Sequence, residues 1–235
     1  MKMKSMYDND VWDIVPLPKG KKPVGCKWIF KTKRDSKGNV EKFKARLVAK
    51  GFTQKEGIDY KETFSPVSSK DSLRIILALV AHYDLELHQM DVKTAFLNGD
   101  IDETIYMKQP ENFVSGDAGS MVCRLKKSIY GLKQASRQWY YKFHQVVSSF
   151  GFESNIVDEC IYLKFCGSKF IFLVLLDDIL LASNDKDMLH QLRIFFKNFE
   201  MKDLGDASFV LGIEILRDRS QGILSYPRGT ISIRF

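Results

Sequence analysis

Residues 170–183 read F-I-F-L-V-L-L-D-D-I-L-L-A-S, and this stretch constrains the fold more than any other. Nearly every position is apolar, so neither half alternates. Two short strands buried on both faces produce that pattern. Asp177 and Asp178 then fall at or near the turn between them. Adjacent acids at the tip of a buried hairpin are costly unless something positive satisfies them. A metal ion is one such group. A purely structural turn is the other reading, because Asp is a common turn residue.

The chain has 235 residues and is 45% hydrophobic, enough for one large domain or two small ones. Its net charge of +7 is unevenly spread. Residues 1–61 hold 16 Lys and Arg against 7 Asp and Glu, a balance of +9, whereas the other 174 residues hold 20 against 22, a balance of −2. A basic segment joined to an acid-containing core suits a polyanion held against a metal site. A Lys-rich surface that only confers solubility gives the same count. Cys26, Cys123, Cys160 and Cys166 show no C-x-x-C spacing, which argues against a zinc knuckle. They fit reduced, mostly buried thiols of an intracellular protein. The N-terminus lacks the apolar core of a signal peptide, and the 170–182 run is too short and too acidic to span a membrane.

Met1 to Asn9 is polar and expected to be loose. Val11 to Val15 is a short apolar patch closed by Pro16 and Pro18. Cys26 to Lys33 alternates apolar and basic residues, Asp35 to Asn39 forms a turn, and Val40 to Lys50 returns. One face of this hairpin presents Lys31, Lys33 and Arg46, with Lys50 a further member. Such a ribbon suits a phosphate chain, since Arg grips two oxygens at once, or it is simply a solvated basic hairpin. Ser68 to Tyr83 is a helix with Leu73, Ile76, Leu77 and Val80 on its core stripe. Leu85 to Val92 is a strand that ends near Asp91. Three carboxylates brought together at strand ends bind Mg²⁺, which takes oxygen ligands and completes its shell with water and phosphate. His88 is an ordinary strand histidine. A polar loop lies near Gly116 to Ser120, and a strand covers Val122 to Leu125. Ser136 caps a helix bearing Trp139, Phe143, Val147 and Phe150, and Gly131 permits close approach of the backbone to a ligand. A strand near Ile161–Phe165, a helix over Lys186–Phe199 and a last strand over Ser208–Leu216 complete the set.

Six motifs occur in a fixed order: G-C-K-W-I-F-K, K-A-R-L-V-A-K-G-F-T-Q, H-Q-M-D-V-K-T-A-F-L-N-G, I-Y-M-K-Q-P, I-Y-G-L-K-Q-A-S-R-Q-W-Y and L-L-D-D-I-L-L-A-S. Together, from about Trp12 to Leu224, they resemble the reverse transcriptase domain of copia-type LTR retrotransposon Pol polyproteins. The resemblance implies an α+β right-hand polymerase with a mainly antiparallel palm sheet flanked by helices. Residues 11–84 would be fingers and 85–224 palm, interleaved with fingers near 100–130, after a loose 1–10. It implies RNA-directed DNA synthesis on an RNA or DNA template with primer and dNTP. Two Mg²⁺ ions, replaceable by Mn²⁺, would lie about 3.5–4 Å apart. Asp91, Asp177 and Asp178 look like the catalytic and metal-binding acids. Phe96 looks like a steric gate against a ribose 2′-hydroxyl. Tyr130 and Gly131 look like the nucleotide-pocket turn, and Lys31 or Lys33 with Arg46 resemble the triphosphate grip. A Pol polyprotein would supply the remaining domains, with the parent element in a cytoplasmic virus-like particle.

This sequence departs from the family pattern in three places. Leu175 and Leu176 stand where related sequences have Tyr-Val, either as replacements or with one residue lost. Loss of one residue would send strand side chains to the opposite face. Ser136 stands where Pro is frequent. The resemblance fades after Leu224, so residues 225–235 are expected to form a divergent tail with no thumb or ribonuclease H domain. The alternative function is a catalytically inactive remnant that binds nucleic acid through the basic hairpin.

Overall fold

The computed structural model describes residues 2–35, 37–114, 120–196, 201–211, 213–220, 223–226 and 229–232. In chain order the first half holds α1 (Lys2–Asp8), β1 (Trp12–Pro16), β2 (Cys26–Arg34), β3 (Val40–Ala49), α2 (Lys70–His82), β4 (Glu86–Val92), β5 (Tyr106–Met107) and β6 (Met121–Leu125). The second half holds α3 (Ala135–Ser149), β7 (Glu153–Ser154), β8 (Ile161–Cys166), β9 (Lys169–Leu175), β10 (Ile179–Ser183), α4 (Lys186–Phe196) and β11 (Met201–Asp206). Short strands β12 (Phe209–Val210), β13 (Ile213–Glu214), β14 (Leu216–Asp218), β15 (Ile223–Tyr226) and β16 (Gly229–Ser232) follow. The chain is thus a mixed helix and strand protein built on antiparallel sheets. It divides into two units, residues 1–65 with 94–144, and residues 66–93 with 145–235.

In the second unit the sheet order is β11-β4-β10-β9-β8-β7, and every neighbouring pair is antiparallel. The apolar stretch forms its centre, and all five residues of β10 are buried. Helix α2 starts where the Ser69 hydroxyl accepts the Ser72 N–H at 3.0 Å. Its stripe of Leu73, Ile76, Leu77 and Val80 packs with Leu87, Val174, Leu180 and Ala182 of the sheet. The helix therefore belongs to the second unit, not with the N-terminal hairpin, because its apolar face needs that sheet. Helix α4 lies on the other face, where Arg193 pairs with Asp203, the residue opposite Met90.

In the first unit β2 and β3 form a two-stranded ribbon, and β1, β6 and β5 form a three-stranded sheet. The ribbon turn is built by Asp35, whose carboxylate accepts the N–H groups of Lys37 and Asn39 at 2.9 and 2.8 Å. The first unit's core gathers Val11, Leu47, Leu97, Ile105, Met107, Cys123 and Ile129.

Several expectations need correction. Residues 2–8 are helical, and Met3 and Met6, one turn apart, are buried. Ser136 lies inside the first turn of α3, where the Gln134 carbonyl accepts the Gln138 N–H at 3.0 Å. In place of one strand over 208–216, Leu211 turns with a φ of 51° and the short strands β12 and β13 pair across it. Strand β11 was not expected at all. Cys123 and Cys160 are buried and Cys26 partly so, but Cys166 is exposed, and all four are free. Burial pushes the Cys123 and Cys160 thiols up to about 12, so neither is reactive. The loop over 115–119, residues 197–199 of the expected helix, and residues 227–228 and 233–235 of the tail lie outside the described residues. Among the described residues no helix is long and apolar enough to cross a membrane.

Candidate active site and nucleotide pocket

Strand β10 pairs with β4 in the register Ile179↔Met90 and Leu180↔Gln89. One step further, this register sets Asp178 opposite Asp91. Leu175 pairs with Ile179, so Leu176, Asp177 and Asp178 form the hairpin loop. Leu175 is buried and Leu176 is half-buried against the α2 core. With this register Asp178 faces Asp91 despite the Leu-Leu departure. Asp178 is half-buried and Asp177 is exposed.

Burial pushes the Asp178 carboxyl above the usual carboxylate range, and the negative charges of Asp91 and Asp177 push it the same way. A bond from Gln89 Nε2 to Asp178 Oδ2, 2.7 Å long, opposes the shift. Sequence reasoning missed Gln89. Its signal was the strand period, since Gln89 lies two residues before Asp91 on the same face. Asp91 and Asp178 come within hydrogen-bond reach, and Asp177 acts on Asp178 through its charge. None of the three is ion-paired among the described residues. No three His, Cys, Asp or Glu side chains there stand as a ready metal cage. The donor chemistry nevertheless fits a hard divalent ion: carboxylate oxygens that repel one another, with positions left for water and phosphate.

The shift has a consequence for stability. A raised carboxyl holds its proton more tightly in the folded chain than in the unfolded one. Its stabilising contribution is therefore full below the unfolded value of about 3.9 and is lost as pH rises through the folded value. Asp178→Asn should melt higher than the parent at neutral pH, with the gap closing towards pH ~4. Circular-dichroism melts across this range check the sign, and a variant that melts lower at neutral pH would contradict it.

The first unit assembles a different set. The Phe96 and Tyr130 rings meet edge to face with centroids 4.9 Å apart. The Arg46 guanidinium lies 5.3 Å from the Tyr130 ring centroid. The Tyr130 carbonyl accepts the Ala49 N–H at 2.7 Å. Gly131 has a φ of 87°, and a Cβ there would lie 2.2 Å from the Ala49 carbonyl oxygen. The close approach at this glycine is therefore to β3. Beneath the turn, Gln54 Nε2 donates to Gln134 Oε1 at 3.0 Å, and Gln54 Oε1 accepts the Lys133 N–H at 2.8 Å. Both glutamines are buried. Their pairing spans 80 residues and has no local sequence signal.

Ribbon register places Arg46 opposite Ile29, Lys31 opposite Lys44 and Lys33 opposite Lys42. All lie on one face. Lys31 and Lys33 stand two and four residues further out than Ile29, roughly 7 and 14 Å along the strand. The structure thus joins Phe96, Tyr130 and Arg46, and leaves the two lysines towards the ribbon tip.

A family model described as reverse transcriptase (RNA-dependent DNA polymerase) matches residues 9–226. The chain belongs to the reverse transcriptase family. This reverse transcriptase chain is 49% identical over 221 residues to a retrovirus-related Pol polyprotein from transposon TNT 1-94 of Nicotiana tabacum, covering 93% of the chain and 17% of that relative. It is 41% identical over 234 residues to a Pol polyprotein from transposon RE2 of Arabidopsis thaliana, covering 98% of the chain and 16% of that relative. A putative transposon Ty5-1 protein of Saccharomyces cerevisiae is 34% identical over 128 residues, covering 54% of the chain and 42% of the yeast protein. The copia-type resemblance therefore holds across nearly the whole chain, which spans about a sixth of the two plant polyproteins.

Proposed function

We propose that this reverse transcriptase domain catalyses RNA-directed DNA synthesis, transferring a nucleotide from a dNTP to a primer 3′-hydroxyl. The observation that carries the reading is Asp178 set opposite Asp91, with Asp177 beside it, at the end of two fully paired strands. The second unit then serves as palm and the first as fingers. Asp91, Asp177 and Asp178 would hold Mg²⁺, or Mn²⁺ in its place. Two such ions, when bound, stabilise charge on the attacking and leaving oxygens. Gln89 fixes the orientation of Asp178. Phe96, braced by Tyr130, would meet a ribose 2′-hydroxyl. Arg46 would grip phosphate oxygens, with Lys31 and Lys33 as more distant cations. Template, primer and the rest of a Pol polyprotein are the implied partners.

Primer extension on an RNA template tests this directly. Extension should occur with Mg²⁺ or Mn²⁺ and stop on addition of a chelator. Absence of extension with either ion would sink the reading. Phe96→Ala should lower the preference for dNTP over NTP by ~10-fold or more, measured as a ratio of kcat/KM. An unchanged ratio would remove Phe96 from the gate.

A second reading rests on the basic ribbon, where Lys31, Lys33 and Arg46 share one face. In it the chain binds nucleic acid through the ribbon but performs no chemistry. It predicts salt-sensitive binding without extension.

A further inference from the structure

We infer that Gln89 is a positioning residue that sets the ion preference of the acid cluster: it occupies one oxygen of Asp178, which suits a small hard ion such as Mg²⁺ and disfavours a larger one such as Ca²⁺. The inference rests on the proposed function only in reading Asp91, Asp177 and Asp178 as the site of a divalent ion. Gln89 is buried among apolar neighbours, at 6% exposure in the middle of β4. By strand period it shares a face with Leu87, which packs in the core under α2. The residues directly opposite it are Leu180 on β10 and Gly205 on β11. Neither has a side chain that can bond to an amide. A leucine would suit this position at no polar cost, whereas a buried amide costs free energy unless it is bonded.

The bond that Gln89 makes runs diagonally to the hairpin loop, where its Nε2 donates to Asp178 Oδ2 at 2.7 Å. Asp178 lies two positions before Leu180, a diagonal that a long side chain spans. This bond makes the two oxygens of Asp178 unequal. An oxygen that already accepts a short bond has less charge to give to an ion, so an ion is steered to Oδ1. Ca²⁺ takes more oxygens than Mg²⁺ and often both oxygens of one carboxylate, whereas Mg²⁺ demands a near-octahedral shell. Engaging one oxygen of the pair therefore favours the smaller ion. The same bond holds the carboxylate in one orientation before any ion arrives. Partners of this kind are worth ~10–100-fold in metal affinity.

The test is binding of Mn²⁺ to the full chain, read from the electron paramagnetic resonance signal of the free ion, with Mg²⁺ and Ca²⁺ added as displacers at a single neutral pH. Gln89→Leu keeps the size and loses the donor. It should bind Mn²⁺ ~10-fold or more weakly than the parent. Ca²⁺ should also gain on Mg²⁺ as a displacer. Gln89→Asn, one methylene shorter, cannot reach Asp178 and should behave alike. In an Asp178→Asn background Gln89→Leu should cost little further affinity, because the residue acts through Asp178. Thermal melts verify folding. An unchanged balance between Mg²⁺ and Ca²⁺ in both Gln89 variants would overturn the inference. A full second loss of affinity in the Asp178→Asn background would overturn it too, since Gln89 would then act through the fold. Asp91→Asn separates the two readings. Mn²⁺ binding that disappears in Asp91→Asn and persists unchanged in Gln89→Leu rejects this inference alone. Mn²⁺ binding that no acid substitution alters rejects the metal site, and this inference with it.

Discussion

Asp91→Asn is expected to lower nucleotide incorporation on the order of a thousandfold, the scale of losing one preorganised electrostatic group. Affinity for template and primer, and the melting temperature, should stay close to those of the parent. The reason lies in where the residue sits. Strand β4 is paired on both sides, with β10 and with β11, so its backbone is fixed independently of this side chain. Asn keeps the shape and removes the anionic oxygens. Its amide could even donate to Asp178, which is within hydrogen-bond reach of residue 91. Asp91→Glu should also fail, because a longer side chain displaces the carboxylate and phosphoryl transfer depends on positioning. Single-turnover incorporation with Mg²⁺, run beside anisotropy binding, separates the outcomes. Incorporation that survives Asp91→Asn would remove the three-acid site. Loss of binding together with incorporation would make Asp91 structural.

What was legible in the sequence is what local pattern dictates. The all-apolar run around Asp177 and Asp178 has the pattern of a hairpin buried on both faces, and β10 is buried at every residue. The alternation in Cys26 to Lys33 gave the ribbon and the face shared by Lys31, Lys33 and Arg46. The stripe and cap residues give a helix over Ser68 to Tyr83, observed from Lys70 to His82, although not the sheet it covers. What escaped depends on distant partners. M-K-D-L-G-D carries no strand pattern, since Asp and Gly are turn residues, and it becomes β11 only by pairing with β4, with an irregularity between Asp203 and Gly205. Gln54 and Gln134 are polar residues in unremarkable positions until the fold buries them against each other. Gln89 could have been found, since it lies on the strand face of Asp91. Phe30 and Phe43 lie in strand-forming segments, and only register with burial shows that both stay solvent-exposed.

Gly131→Ala is expected to destabilise the chain by about 2–6 kcal/mol and to weaken nucleotide binding more than turnover. Two costs combine. A left-handed φ of 87° strains any L side chain, by ~1–3 kcal/mol. The new methyl would also lie 2.2 Å from the Ala49 carbonyl oxygen and 2.6 Å from Val48 Cγ1. Backbone must move to relieve this, at ~1–3 kcal/mol for an overpacked site. The movement strikes the bond from the Ala49 N–H to the Tyr130 carbonyl, and with it the contacts of Tyr130 with Phe96 and Arg46. A displaced Tyr130 should raise KM for dNTP while kcat changes less, because the acids stand on other strands. Gly51→Ala offers an independent check. Its Cβ would meet the Gly131 carbonyl oxygen at 1.9 Å from the other side of the same contact. Once one substitution has pushed the two segments apart, the second costs less, so the double variant should lose less stability than the two losses added together. Denaturant unfolding of the two single variants and the double variant measures that coupling. Additive losses would mean that the glycines act separately, and a neutral Gly131→Ala would mean that the turn beneath Tyr130 is not fixed by β3.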